Sequence, residues 1–194
     1  MLTLPVFEWV RPTSVDGVLR ELAEHPGECL LMAGGTDAVP NLKHRLHEPR
    51  RVVALAGVRE LHEVRETAAG LELGALVTLS ALARLPALQR DYAAVARAAS
   101  LVASPQIRNM GTLGGNLCQR NRCWYFRDEH VNCFLKGGEK CFALDGENQF
   151  HAVFTQGHKC VMVNPSTLAP VLIALGASAV VLGPKGRRTL KLAD

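Results

Sequence analysis

The chain has 194 residues, 48% of them hydrophobic, which is enough to bury one domain or two small lobes and too much for a disordered tail. Its formal net charge of +4 is spread without any run of lysines or arginines, so the electrostatic footprint of a nucleic-acid binder is missing. Glu8 and Arg11 come before any long apolar stretch and no run reaches membrane-spanning length, so we expect a cytoplasmic protein with neither a signal peptide nor nucleic-acid or membrane partners.

Phe7 to Arg11 reads as a short strand. Ser14 caps a helix running to Glu24, whose apolar stripe is Val15, Val18, Leu19 and Leu22. Cys29 to Ala33 reads as a buried strand, Asp37 to Leu46 as a helix and Arg51 to Leu55 as another strand, so residues 1–56 close a first lobe. From Val64 the pattern changes: Ala68-Ala69-Gly70 turns between two short strands, Thr78 opens a helix, and Asp91 to Ala103 forms an alanine-rich one. Residues 119–160 are polar, cysteine-containing and without periodicity, whereas Thr167 to Leu175 returns to helix and Ser178 to Leu182 to strand. The block 119–160 therefore reads as inserted into a second lobe spanning 57–194. Pro184-Lys185-Gly186 turns the chain toward its last residues, and the end at Asp194 without a terminating element leads us to expect a further C-terminal domain outside this chain.

Two glycine loops stand out. Met32-Ala33-Gly34-Gly35-Thr36-Asp37 follows an apolar strand and precedes a helix, the arrangement in which backbone N–H groups converge on a phosphate. It lacks the GxGxxG spacing of the dinucleotide fingerprint, and by itself a Gly-Gly loop fits a tight strand-to-helix turn as well. Gly111-Thr112-Leu113-Gly114-Gly115-Asn116 adds a second set of amides with the Thr112 hydroxyl and the Asn116 side chain. A diphosphate carries more charge than one loop readily satisfies, so a flanking pair is physically sensible. On spacing alone, two unrelated turns remain the alternative. Of the six cysteines, Cys118, Cys123, Cys133, Cys141 and Cys160 fall within one stretch while Cys29 lies apart, and reduced thiols are expected throughout.

Ala33-Gly-Gly-Thr-Asp37 with Pro40-Asn-Leu-Lys43, Gly74-Ala-Leu-Val-Thr78, Ser104-Pro-Gln-Ile-Arg108, Thr112-Leu-Gly-Gly-Asn116 and Ala169-Pro170 together resemble the flavin subunit of the xanthine dehydrogenase family, over essentially the whole chain. The resemblance implies an α+β fold, the two-lobed FAD-binding module of the vanillyl-alcohol oxidase and molybdopterin dehydrogenase type. Carried over by position, Met32, Ala33, Gly34, Gly35, Thr36, Asp37 and Ala38 in the first loop, and Thr112, Leu113, Gly114, Gly115 and Asn116 in the second, would hold the FAD pyrophosphate. Thr78 and Val102 would lie near the flavin. Thr167 stands where the family often has an aspartate, and a hydroxyl can donate where a carboxylate cannot, so that contact is the least secure of the set.

The stretch from Asn116 to Phe126, followed by Cys133, Gly137-Gly-Glu-Lys-Cys141 and Lys159-Cys160, resembles the subgroup that includes the flavin subunits of 4-hydroxybenzoyl-CoA reductase and bacterial aldehyde oxidoreductase. That match implies a 4Fe-4S cluster on Cys123, Cys133, Cys141 and Cys160, with Trp124, Tyr125 and Phe126 covering it. The intervals of 10, 8 and 19 residues are not a ferredoxin pattern, and without the resemblance four cysteines fit zinc as well as iron and sulfide. Cys29 and Cys118 read as small hydrophobes, and His130, His151 and His158 as solvated loop histidines. The resemblance implies electron exchange with a small subunit bearing 2Fe-2S centres and a large subunit carrying the molybdenum cofactor, with ferredoxin as a candidate external carrier. No acid-base dyad is evident. The rival readings are a zinc-stabilised scaffold subunit and an independent flavoenzyme without an iron-sulfur cluster.

Overall fold

The protein is described by a computed structural model covering residues 3–155 and 157–193. Its chain divides into two compact units, one built from residues 3–5, Asp37–Glu48 and Gln119–Pro165, the other from Val6–Thr36, Pro49–Cys118 and the residues from Ser166 onward.

The larger unit begins with three parallel strands, β1 (Glu8–Val10), β2 (Cys29–Met32) and β3 (Arg51–Ala54), in the order β1-β3-β2. Helix α1 (Val15–Glu24) links β1 to β2, and Ser14 caps it by accepting the Gly17 N–H at 3.1 Å. Val18 of α1 packs with Val53 and Val58, so the apolar stripe read from the sequence is what binds helix to sheet. The chain then passes through α2 (Ala38–Lys43) to reach β3, α2 ending three residues short of the expected Leu46 because Arg45 takes a left-handed φ of 54°.

After β3, the strands β4 (Val64–Thr67) and β5 (Gly70–Leu73) pair antiparallel across the expected turn. Five helices follow: α3 (Leu79–Arg84), α4 (Pro86–Asp91), α5 (Ala93–Leu101), α6 (Pro105–Met110) and α7 (Leu113–Leu117). The single helix expected from Asp91 to Ala103 is instead broken at Tyr92, whose φ of −136° ends α4 before α5 begins. Pro86 starts α4 at the position where its missing N–H costs nothing, and it forces Leu85 into an extended conformation. Leu82, Leu88, Val95, Ala99 and Leu113 form one core with Leu168 and Leu172 of α9 (Leu168–Ala174). Here the alanine richness of α5 has its use, since small side chains let helices approach closely. An antiparallel hairpin, β6 (Ser178–Gly183) and β7 (Gly186–Lys191), follows, with Gly186 at a φ of 95° in the tight turn.

The smaller unit has little regular structure beyond α2 and α8 (Trp124–Arg127). It is organised by side chains: Cys123, Phe126 and Cys133 pack with Leu46, Tyr125, Val131, Phe142 and Met162, while Cys141, Ala143 and Val161 pack with Tyr125 and Phe134. Isolated backbone bonds pin the loops, among them Phe134 N–H to the Lys140 carbonyl at 2.9 Å and Ala152 N–H to the Val161 carbonyl at 2.9 Å.

Candidate functional site

Both glycine loops lie within the larger unit up to Thr36, and the structure brings them together. A Cβ on Gly34 would stand 1.7 Å from the carbonyl oxygen of Met110, so only glycine lets the first loop rest on the backbone that leads into the second. On the other side, Thr36 Oγ1 lies 3.6 Å from where a Cβ of Gly111 would be. Among the described residues the amides of Gly34, Gly35 and Thr36 have no hydrogen-bond partner, and Gly35 holds a φ of 75°. Three consecutive open N–H groups with a left-handed residue between them form a concavity suited to an anion.

The second loop differs from the expectation of open amides. Leu113 N–H donates to the Val77 carbonyl at 2.9 Å and Gly114 N–H to the Ala75 carbonyl at 2.8 Å. Gly115 N–H is taken by the Thr112 hydroxyl at 3.1 Å and Asn116 N–H by the Thr112 carbonyl at 2.8 Å. These bonds zip the loop to the segment before α3, and Thr78 is bridged to Thr112 in antiparallel fashion while its hydroxyl caps α3 by accepting from Ala81. Val102, half-buried after α5, has its carbonyl held by the Arg108 guanidinium at 2.8 Å, beside Ala103 with a φ of 41°.

Asn116 is turned inward. Its Oδ1 accepts from the Ser166 hydroxyl at 2.7 Å, and Ser166 Oγ in turn accepts from Ala169 N–H at 3.0 Å, capping α9. Thr167, the residue singled out from the sequence, is exposed and makes no capping bond. The capping offset of three residues from Ser166 to Ala169 was the signal that could have found the serine. Ser166→Ala is expected to lower stability by about 1–2 kcal/mol through loss of the cap and of the buried bond. That corresponds to a melting temperature lower by roughly 2–8 °C for a chain of this size. Thr167→Ala should melt as the parent does, and equal melting of the two variants would refute the assignment.

Asp37 is the N-cap residue of α2 yet caps nothing with its side chain. Its carboxylate accepts from the Arg120 N–H at 2.9 Å, Arg122 Nη1 at 2.6 Å, Arg127 Nη2 at 3.1 Å and Asn41 Nδ2 at 3.1 Å. Burial alone would push the carboxyl's pKa up, but the amide and the two guanidinium groups outweigh that and hold the carboxyl below its ordinary range.

Cys123, Cys133 and Cys141 are buried, and Cys160 is half-buried. Burial pushes the Cys160 thiol up, the Met162 N–H opposes this, and Cys141, Cys123 and Cys133 add to the rise. His151 Nε2 lies 3.2 Å from Cys123 Sγ, so this histidine is packed against a thiol, unlike the solvated residue expected from its loop. Two buried nitrogens in the same neighbourhood, Trp124 Nε1 and His151 Nδ1, have no hydrogen-bond partner among the described residues. No group of three or more His, Cys, Asp or Glu among the described residues is disposed to hold a metal ion as it stands. The remaining cysteines are unlike these four: Cys118 is exposed, and the Cys29 thiol, raised by burial and then by Glu21, faces the Glu21 carbonyl.

No helix among the described residues is long and apolar enough to cross a membrane. Residues 5–194 match the family described as the FAD binding domain in molybdopterin dehydrogenase. The aldehyde oxidoreductase FAD-binding subunit PaoB of Escherichia coli is 37% identical over 84% of this chain and 52% of its own length. The nicotine 6-hydroxylase medium subunit of Paenarthrobacter nicotinovorans is 31% identical over 93% of this chain and 59% of its own. Among solved structures, carbon monoxide dehydrogenase from Hydrogenophaga pseudoflava superposes with a TM-score of 0.73 at 25% identity, over 98% of this chain and 52% of that one. The chain thus spans little more than half the length of these relatives.

Proposed function

Because the chain belongs to the family of FAD-binding domains in molybdopterin dehydrogenases, we propose that it is the flavin and iron-sulfur part of the FAD subunit of a molybdenum hydroxylase-type oxidoreductase. The observation that carries the finer part of this reading is the packing of Cys123 and Cys133 into one apolar cluster and of Cys141 into another that shares Tyr125 with it, with Cys160 half-buried in the same unit.

The residues fit both groups. The open amides of Gly34, Gly35 and Thr36 supply donors for a diphosphate. Met32, Ala33 and the backbone of Asp37 and Ala38 complete the first loop. Thr112, Leu113, Gly114, Gly115 and Asn116 shape the second as a wall, the amides of the last four being engaged elsewhere. Thr78 and Val102 are the positions assigned to the neighbourhood of the flavin, and Thr167 to one further cofactor contact. For the cluster, four thiols supply the soft donors iron requires, and a cubane takes one thiolate at each of four corners, so its ligands need not crowd around one point as they must for a single ion. The unpartnered Trp124 Nε1 supports the same reading, since a buried indole N–H without an acceptor costs about 1–3 kcal/mol and an iron-bound sulfur beside Cys123 is an acceptor.

When bound, FAD exchanges one or two electrons and a 4Fe-4S cluster one, so the pair links two-electron chemistry to single-electron carriers. The chain's own residues bind, orient and exclude water: Phe126 and Phe142 surround the cysteines with apolar surface, and the glycine loops fix the cofactor's diphosphate end. Electron exchange would run to a 2Fe-2S small subunit and a molybdenum-cofactor large subunit, with a ferredoxin-like protein as external carrier. Protein purified without oxygen is expected to be brown, with stoichiometric FAD and about four irons and four sulfides per chain. Colourless protein with stoichiometric zinc would support a scaffold instead, and yellow protein that turns over alone without iron would support an independent flavoenzyme.

A further inference from the structure

Asp37 directly follows the open amides of the first glycine loop, but its side chain is committed to the cysteine segment. The carboxylate receives four hydrogen bonds, from Arg120 N–H, Arg122 Nη1, Arg127 Nη2 and Asn41 Nδ2. These account for its lone-pair directions, and a phosphate brought to it would meet like charge. The donors are not scattered. Arg120 and Arg122 precede Cys123, Arg127 follows it by one turn of α8, and the Asp37 and Arg127 side chains are only 19% and 21% exposed. The same arginines tie the stretch to itself: Arg127 Nε donates to the Asn121 carbonyl at 2.8 Å, and Arg122 Nη2 to Gln119 Oε1 at 2.8 Å. Cys123 N–H donates to Asn121 Oδ1 at 3.1 Å, so the cysteine sits at the entry to α8 between residues held by one anion.

We propose that Asp37 is the positioning residue for Cys123: its carboxylate gathers the arginines on either side of that cysteine and so sets where the thiol stands, making the residue that ends the flavin loop also the anchor of the cluster loop. This rests on the cysteine ligand set proposed above. It reassigns the Asp37 side chain from FAD, where family resemblance places the residue, to the neighbouring redox group. An ion pair built from one carboxylate and two guanidinium groups is geometrically selective, because the planar forks must be satisfied together.

The test compares Asp37→Asn, Asp37→Glu and Arg122→Gln in the full-length chain, purified without oxygen in its native assembly. Asp37→Asn should keep the FAD content of the parent and lose a large part of its iron, and what cluster remains should show altered EPR g-values and a shifted midpoint potential. Asp37→Glu should restore part of the iron, and Arg122→Gln, which removes one exposed strut, should move the same readouts less. After chelator stripping, a short pulse of N-ethylmaleimide read by mass spectrometry should label Cys123 several-fold more in Asp37→Asn than in the parent, with Cys133 and Cys141 unchanged. Equal Cys123 labelling in the two proteins would overturn the proposal, as would loss of FAD with iron and EPR spectrum intact. Parent protein without iron or sulfide would defeat the cluster reading, and the labelling result would still decide the role of Asp37.

Discussion

Cys133→Ser and Cys141→Ser proteins, purified without oxygen, are expected to keep FAD and to lose the low-temperature EPR signal of a 4Fe-4S cluster, their iron falling from about four per chain to near zero. The effect is large because a serine hydroxyl is not deprotonated at neutral pH and its oxygen is a hard donor, so the fourth corner of the cubane has no anionic ligand of the right softness. Both residues are buried, at 6% and 8% exposure, whereas Cys118 is exposed and the Cys29 thiol faces the Glu21 carbonyl. The same burial predicts a modest cost to the fold itself, about 1–3 kcal/mol for a hydroxyl left without a partner in apolar surroundings. Cys29→Ser and Cys118→Ser are the controls and should retain the full spectrum. A full-strength cluster in either Cys133→Ser or Cys141→Ser would show that the ligand set is wrong.

Gly34→Ala should weaken flavin binding and destabilise the chain in one step. The added methyl group would lie 1.7 Å from the Met110 carbonyl oxygen and 2.5 Å from its carbon, and both are backbone atoms that cannot swing aside as a side chain would. The first loop must therefore lift away from the entry to the second. Overpacking of this kind costs about 1–3 kcal/mol or more, roughly 2–12 °C in melting temperature for a chain of this size. Displacing three aligned amides should weaken FAD binding by a factor of about ten or more, since each 1.4 kcal/mol is tenfold. Gly35→Ala meets a different obstacle, the φ of 75°, and should cost about 1–2 kcal/mol with a smaller loss of flavin. Yellow, normally melting Gly34→Ala protein would mean that the two loops do not rest on each other as described.

Local features were legible because they depend on neighbours in sequence. Ser14 three residues before Gly17, the alternation of helix and strand through β3 and the turn at Gly70 all act within one turn of backbone. The two glycine loops and the cysteine-rich stretch could be located in the same way, as residue types with few conformational or chemical uses. What they do with each other could not. Leu113 and Gly114 carry amides that looked open in sequence, and only the pairing with the Val77 and Ala75 carbonyls closes them. Gly34 reads as a turn glycine until the Met110 backbone is brought against it.

The amino-acid sequence by itself determined the family, the kinds of element and the chemical identity of the candidate donors, because hydrophobic period, capping residues and motif letters are properties of short segments. Tertiary structure alone decided which donors remain free. It chose Ser166 over Thr167 to cap α9, set His151 against Cys123, and turned the Asp37 carboxylate from the glycine loop toward the arginines around Cys123. The physical reason is that a hydrogen-bonding group is satisfied by whichever partner the folded chain brings within about 3 Å, and that partner can lie anywhere in the sequence.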